Sequence, residues 1–257
     1  MVSKTKKDRD ELLKERIRIP GRKTYQEVFD KRTLMELYGL MKDGAIDILD
    51  HPISTGKEAK VFRGEQKDGT PVAVKIMRIN TAVFKKYRQY IEGDYRFKDV
   101  PKGAKMIFSW TRKEFSNLRI MHKAGIKVPE PISFSKNILI MEYLEHRGFP
   151  APMLKDVDID QEDMEYVCGE ILDHMKTLYN EVEMVHGDLS EFNILISKER
   201  PYMIDVSQSV FLDHPEAINL LERDVKNVVR YFRSNGVDIT QEDVVERVGI
   251  EVEEELI

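Results

Sequence analysis

Apolar positions recur along this chain in two rhythms, one of helix period and one of strand period. From Asp8 to Arg18 the residues are densely charged, with Leu12, Leu13, Ile17 and Ile19 as the apolar ones; this predicts a short helix ended by Pro20-Gly21. Thr24, with Glu27 three residues on, has the form of a capping box and predicts a second helix. Val28, Leu34, Met35, Leu37, Tyr38 and Met41 give that helix its apolar face. Ile48 to Asp50 predicts a first strand. Val61-Phe62-Arg63 and Val72-Ala73-Val74-Lys75-Ile76-Met77 predict two more, joined by the turn Lys67-Asp68-Gly69. Asn80 to Ser109 is basic and aromatic, broken by Gly93 and Pro101-Lys102-Gly103, and shows no sustained period, so it predicts a long loop.

Trp110 to Ala124 then predicts a helix, with Thr111 as N-cap and Gly125 as its stop. Strands follow at Ile132-Ser133-Phe134 and Ile138-Leu139-Ile140-Met141, and an amphipathic helix from Asp160 to Tyr179. Ile194-Leu195-Ile196 and Tyr202-Met203-Ile204 predict a hairpin around Ser197–Pro201, with helices at roughly 213–234 and 240–248. Strands with one main helix come first and helices afterwards. That order predicts an α+β protein of two lobes with a cleft between them. Its parts are a helical extension (1–47), a strand lobe with a basic insertion at about 80–109 (48–141) and a helical lobe (142–257).

The chain has 257 residues, 41% of them hydrophobic, which is enough to bury a core and argues against wholesale disorder. Its one cysteine, Cys168, excludes intramolecular disulfides and cysteine-based zinc clusters. No apolar run approaches a membrane span, and the charged start has no apolar segment behind it, so a soluble, cytoplasmic protein with no membrane partner is expected. The net charge of −5 conceals an asymmetry: residues 1–23 carry nine basic and four acidic side chains, residues 75–123 thirteen and four, and residues 237–257 one and eight. Such segments are either solvated faces or sites for a polyanion.

Four stretches carry candidate chemistry. Ile53-Ser54-Thr55-Gly56-Lys57-Glu58-Ala59-Lys60-Val61 is a small-residue turn between strands, with Ser54, Gly56 and Ala59 where a kinase phosphate loop has its glycines. Small residues let backbone N–H groups approach a triphosphate, although a plain hairpin would look the same. In Val72-Ala73-Val74-Lys75, strand alternation sends Ala73 and Lys75 to one face, where a buried ammonium needs an anionic partner. Glu114 is the candidate, although Thr111-x-x-Glu114 also reads as a capping box and 38 residues separate Glu114 from Lys75.

The third stretch, His186-Gly187-Asp188-Leu189-Ser190-Glu191-Phe192-Asn193, puts a carboxylate and a carboxamide on one loop. Asp188 is suited to orient an acceptor hydroxyl and take its proton, and Asn193 to offer its amide oxygen to magnesium. The fourth is Ile204-Asp205, twelve residues after Asn193, whose carboxylate suits a metal between phosphates. Lys75, Asp188, Asn193 and Asp205 are therefore the candidate catalytic set, with Asn193 and Asp205 as metal ligands. For adenine, Ile53, Val61 and Ala73 would form a roof, Leu195 a floor, and Met141-Glu142-Tyr143-Leu144 a linker whose backbone meets the base edge. His186 is better suited to support the loop than to move protons, and Cys168 is most simply a core residue.

Taken together, Ser54-Thr55-Gly56-Lys57-Glu58-Ala59, the His186–Asn193 stretch and Ile204-Asp205 resemble the RIO family of atypical protein kinases over roughly residues 24–235. The loop resembles the subgroup without an N-terminal winged helix, and the compact chain is similar to archaeal members. The resemblance implies a trimmed, two-lobed protein-kinase-like fold that binds ATP with Mg²⁺ or Mn²⁺. It also implies a serine kinase with autophosphorylation and ATPase activity, associated with maturation of the small ribosomal subunit. Departures from ordinary protein kinases are plain. Gly187 stands in place of an Arg that would read an activation-loop phosphate, and Val206-Ser207 follow Asp205. His214-Pro215-Glu216 comes nine residues after Asp205, too soon for a full activation segment or a peptide groove. The acceptor is then the protein itself, a docked macromolecule, or water.

Two other functions share parts of this pattern. Small-molecule phosphotransferases have a similar His-Gly-Asp…Asn loop, but build an acceptor pocket from helices for which this chain has little material. A nucleotide-gated switch that binds a ribosomal precursor is motivated by basic segments 1–23 and 75–123. There Lys85, Lys86, Arg88, Arg96, Lys98, Lys102 and Lys105 interleave with Phe84, Tyr87, Tyr90, Tyr95 and Phe97, a composition suited to RNA or to an ordinary basic loop.

Overall fold

Aspartate 30 begins the best-defined of the N-terminal helices. Its Oδ1 accepts from the backbone N–H of Arg32 and Thr33 at 2.9 and 3.0 Å, meeting donors that a helix start leaves unpaired. The computed structural model describes residues 6–18, 29–79, 84–97 and 100–250. In chain order the first elements are α1 (Lys6–Arg16), α2 (Lys31–Lys42), β1 (Ile48–Thr55), β2 (Ala59–Glu65), β3 (Pro71–Met77), α3 (Phe84–Ile91) and α4 (Ala104–Lys123). Next come β4 (Pro131–Ser135), β5 (Ile138–Glu142), β6 (Glu145–His146), β7 (Phe149–Pro150), α5 (Gln161–Asn180) and β8 (Met184–Val185). The last are β9 (Ile194–Ser197), β10 (Arg200–Met203), β11 (Val210–Phe211), α6 (Ala217–Ser234) and α7 (Gln241–Val248). The chain divides into two units, one of residues 1–86, 101–115 and 130–143, the other of residues 87–100, 116–129 and 144–257.

The first unit is built on a five-stranded antiparallel sheet in the order β1-β2-β3-β5-β4. Strand alternation gives the sheet two different faces. Phe62, Val72, Val74, Ile76, Ile138 and Ile140 pack with Leu13, Ile17, Leu37, Leu40 and Met41 of α1 and α2 and the residues following α1, forming the hydrophobic core of this unit. The register puts Val61, Lys75 and Leu139 in one row and Arg63, Ala73 and Met141 in the next, on the opposite face. Gly64 lies where a Cβ would come within 2.9 Å of Ile48 O, so β1 and β2 approach closely there.

The second unit packs α5 against α7, with the hairpin β9–β10 and the short pair β8–β11 beside them. Lys198 and Glu199, at the hairpin tip, both have positive φ, the conformation that two-residue turns between twisted strands require. A buried stripe of Leu220, Leu221, Asp224, Val225, Val228, Val229 and Phe232 runs along α6 at helical spacing.

Two expectations are corrected, and a third falls partly outside the described residues. The capping box at Thr24 falls outside the described residues, and the helix carrying Leu34, Leu37 and Met41 starts at Lys31 with Asp30 as its cap. The segment 80–109 is not a continuous loop. It contains α3, whose Tyr87, Tyr90 and Ile91 are buried, and the first turns of α4. At eight residues, α3 is too short to show a helical period in the sequence. Thr111 is not an N-cap: α4 begins at Ala104, and the Thr111 hydroxyl donates to Ile107 O at 2.9 Å from within the helix.

Candidate functional site

On the first unit, the face of β3 opposite the core carries Lys75, whose Nζ lies 2.6 Å from Glu114 Oε1 on α4. Both residues are buried, and Glu114 is only 1% exposed. The capping-box alternative for Glu114 is excluded by the position of Thr111 in the helix interior. Phe115, the next residue of α4, packs its ring 4.7 Å from that of Phe134 on β4. Trp110, one turn before Glu114, is buried as well.

Val61, Ala73 and Met141 occupy neighbouring positions on that same sheet face. Ile53 is half-buried and lies in the irregular part of β1, between the paired residues Pro52 and Ser54. Ser54, Thr55, Gly56 and Lys57 are exposed, whereas Glu58 and Ala59 are half-buried. The N–H of Gly56 donates to Ala59 O at 2.9 Å, closing the loop and committing that donor within it. Tyr143 is buried with its ring facing Arg63, and Glu142 N donates to Glu130 O.

In the second unit the His186–Asn193 loop is fixed almost atom by atom. The Nε2 of His186 faces Ile204 O at 3.2 Å while its Nδ1 accepts from the N–H of Asp188 at 3.3 Å. That pattern requires neutral imidazole, and burial accordingly pushes the His186 pKa down to about 4. The loop-supporting role expected of this histidine matches its contacts. The Asn193 Nδ2 donates to Asp188 O at 2.7 Å and lies 3.3 Å from Asp188 Oδ2. The Asn193 backbone in turn accepts from Ile204 N, which brings Asp205 next to the loop. Asp205 adopts a left-handed conformation (φ 59°), and its Oδ1 accepts from the Ser207 hydroxyl. Leu195 is half-buried and bridges to Met153, and Leu144 is buried and accepts from Ala151 N.

Four residues of this network were not anticipated from the sequence. Asp224 of α6, 1% exposed, accepts from the N–H of Gly187 at 2.7 Å and of Leu189 at 2.8 Å, anchoring the backbone on both sides of Asp188. Burial drives its pKa up to about 7, against the two N–H donors and Arg223. Arg223 donates to Gly187 O and has a guanidinium nitrogen 3.9 Å from Asp188 Oδ1. Gln208 Nε2 donates to Asp188 Oδ2 at 2.8 Å. Asn117, fully buried, donates to Val206 O at 2.7 Å and Ser209 O at 3.1 Å, and accepts from Arg96 at 2.8 Å. The available signal was Asp224 itself, a carboxylate in the apolar stripe of α6.

Asn193 and Asp205 offer oxygen donors only, and among the described residues no group of three His, Cys, Asp or Glu side chains could hold a metal. Because the Asn193 amide nitrogen is spent on Asp188 O, its oxygen is the atom left to face a cation. A small all-oxygen set of this kind fits magnesium, which keeps several waters and shares phosphate ligands, and does not fit zinc.

The basic-aromatic insertion is partly committed inside the protein. Arg96 pairs with buried Asp94 at 2.6 Å and lies over the Phe211 ring, while Tyr87 and Tyr90 are buried. Lys98 and the side chains of Phe84, Lys85 and Lys86 lie outside the described residues, as do residues 1–5 and 19–23. Lys102, Lys105 and Tyr95 are exposed. No helix among the described residues is long and apolar enough to cross a membrane. Cys168 is buried, which pushes its thiol pKa up to about 11 and leaves it a core residue.

Comparison with known proteins places these features in a family. A model of the RIO domain matches residues 60–245. A RIO-type serine/threonine-protein kinase Rio1 of Methanocaldococcus jannaschii is 42% identical over 236 residues, covering 91% of this chain and 79% of the relative. The serine/threonine-protein kinase RIO1 of Caenorhabditis elegans is 39% identical over 85% of this chain, which spans only 44% of that longer relative. Among solved structures, the Rio2 kinase of Chaetomium thermophilum, in an ADP/Mg²⁺-phosphoaspartate complex, matches with a TM-score of 0.61 at 23% identity, over 90% of this chain and 69% of that one. The fold is thus the trimmed kinase fold, and by the span of the family match the chain belongs to the RIO family of serine/threonine protein kinases.

Proposed function

We propose that this chain is an ATP- and Mg²⁺-dependent kinase that transfers a phosphoryl group to serine hydroxyls of proteins, itself included. The observation that carries the reading is the Asp188 loop: a half-exposed carboxylate on a backbone held from both sides by Asp224, beside the oxygen donors Asn193 and Asp205. Phosphoryl transfer asks a protein chiefly for positioning and for fixed charge around a dispersed anion.

Asp188 orients the acceptor hydroxyl and receives its proton as the new oxygen–phosphorus bond forms and the bond from the γ-phosphorus to the β,γ-bridging oxygen breaks, with ADP as the leaving group. Lys75, held by Glu114, presents its ammonium to phosphate oxygens, and Ser54–Ala59 supply a loop slim enough for close backbone approach. On the first unit, Val61, Ala73 and Met141, with Ile53, contribute apolar surface for the adenine, and the backbone of Glu142 and Tyr143 meets its edge. Asn193 and Asp205 would hold the magnesium, which when bound neutralises phosphate charge. On the strength of the family, the same catalytic machinery would hydrolyse ATP slowly and serve maturation of the small ribosomal subunit.

The test is incubation of the purified protein with γ-labelled ATP and Mg²⁺, following free phosphate and protein-bound label together. Label on serine that disappears in Asp188→Ala supports the kinase reading. Free phosphate alone, with no serine label on the protein or on an added protein acceptor, overturns it in favour of a hydrolytic switch.

A further inference from the structure

Gln208 sits three residues beyond Asp205 and yet contacts the other loop, with Nε2 2.8 Å from Asp188 Oδ2. We propose that Gln208 is a positioning residue for phosphoryl transfer, holding the Asp188 carboxylate in the plane from which it meets the acceptor hydroxyl. This rests on the reading of Asp188 given above.

Rotation about the last bond of an aspartate is soft, and the Asp188 side chain is 39% exposed, so packing alone does not set its plane. Two amide donors converge on Oδ2, Gln208 at 2.8 Å and the longer contact from Asn193 at 3.3 Å. Asn193 spends its better hydrogen bond, 2.7 Å, on the Asp188 carbonyl, so Gln208 is the stronger amide contact to the carboxylate.

A glutamine side chain loses considerable rotamer freedom when immobilised, and holds an orientation well only from a fixed base. Gln208 has one. It ends a short 3₁₀ turn, Val206–Gln208, whose flanking carbonyls at Val206 and Ser209 are both tied down by Asn117. The Ser209 hydroxyl donates to His186 O at 2.8 Å. The Gln208 carbonyl itself lies 3.0 Å from where a Cβ on Gly187 would be, so glycine at 187, with φ +77°, is what lets the two backbones meet. The Asp205 loop thereby reaches back and sets the geometry of the Asp188 loop.

The experiment compares wild type, Gln208→Ala, Gln208→Glu, Asp188→Asn and the Asp188→Asn/Gln208→Ala double variant under single-turnover conditions with γ-labelled ATP. Nucleotide affinity and thermal midpoint are measured in parallel. Each Gln208 variant is expected to lower turnover roughly 10- to 100-fold, the scale of a misplaced catalytic group, with nucleotide affinity and midpoint nearly unchanged. Gln208→Glu keeps the shape but sets carboxylate against carboxylate, so it does not rescue. In the Asp188→Asn background, Gln208→Ala is expected to cost almost nothing more, because its effect passes through Asp188. A full further loss in the double variant, or weakened nucleotide binding with unchanged turnover, overturns the proposal. An inactive Asp188→Asn beside a fully active Gln208→Ala overturns it alone; an Asp188→Asn with wild-type turnover overturns the reading of Asp188 as well.

Discussion

Lys75 and Glu114 are 39 positions apart in the chain and form a buried ion pair of 2.6 Å. Removing one member of such a pair strands the other charge away from water, which is far worse than never having had either. Glu114→Ala is therefore expected to cost about 3–5 kcal/mol in urea denaturation, and to weaken ATP binding by freeing the ammonium from its set position. Replacing both residues by apolar ones of similar volume is expected to restore most of the stability and none of the nucleotide affinity.

Asp188 and Asp205 are expected to fail differently. Asp188→Ala lowers turnover by roughly 10²–10⁴-fold with little change in ATP affinity, as loss of a general base does. Asp205→Asn instead weakens magnesium-dependent nucleotide binding, by roughly tenfold or more on the scale of disturbed metal sites. Calorimetric titration of each variant with ATP and Mg²⁺ separates the two; equal losses of affinity would refute the division.

Proton linkage gives a third expectation, with opposite signs at two neighbouring groups. Folding holds His186 neutral down to about 4, whereas the unfolded chain protonates it near 6.5, so this group costs stability as pH falls through that window. Folding keeps a proton on Asp224 up to about 7 that the unfolded chain releases near 3.8, so this group costs stability as pH rises. Between about pH 4 and 6.5 the two slopes oppose each other in the wild type. Relative to wild type, His186→Gln should lose stability with rising pH and Asp224→Asn should gain it. Each slope is at most roughly 1.4 kcal/mol per pH unit, read from denaturation midpoints across a pH series.

Asn117 satisfies two buried carbonyls and receives Arg96, all from a fully buried position. Asn117→Ala removes a buried donor from both carbonyls and an acceptor from Arg96, and is expected to cost about 1–3 kcal/mol, measurable by thermal denaturation. Because the turn it secures carries Gln208, turnover should fall as well.

Much of this was legible in the sequence wherever local pattern determines structure. β-branched alternation located β3 and β5, and Asp160 marked the start of α5 as its N-cap. Spacing alone identified Asp188, Asn193 and Asp205 as a set. What escaped notice depends on distant partners. α3 is too short to show a period, and Thr111 looks like a cap until the preceding turns of α4 are seen to be helical. Arg96 and Tyr87 belong to a composition that suits RNA, and only packing reveals that one is paired and the other buried. Asp224 holds backbone groups 37 and 35 positions away and Gln208 a carboxylate 20 positions away, relations that no local pattern records.

Trp110 is the sole tryptophan of the sequence and lies buried on α4 one turn before Glu114. The protein therefore carries a native fluorophore on the helix whose Glu114 pairs with Lys75. Buried indole emits at shorter wavelength than indole in water, so loosening of that helix would shift the emission to the red without any label. Excitation of this single ring would follow the Lys75–Glu114 region apart from the rest of the molecule, in unfolding and in nucleotide titration alike.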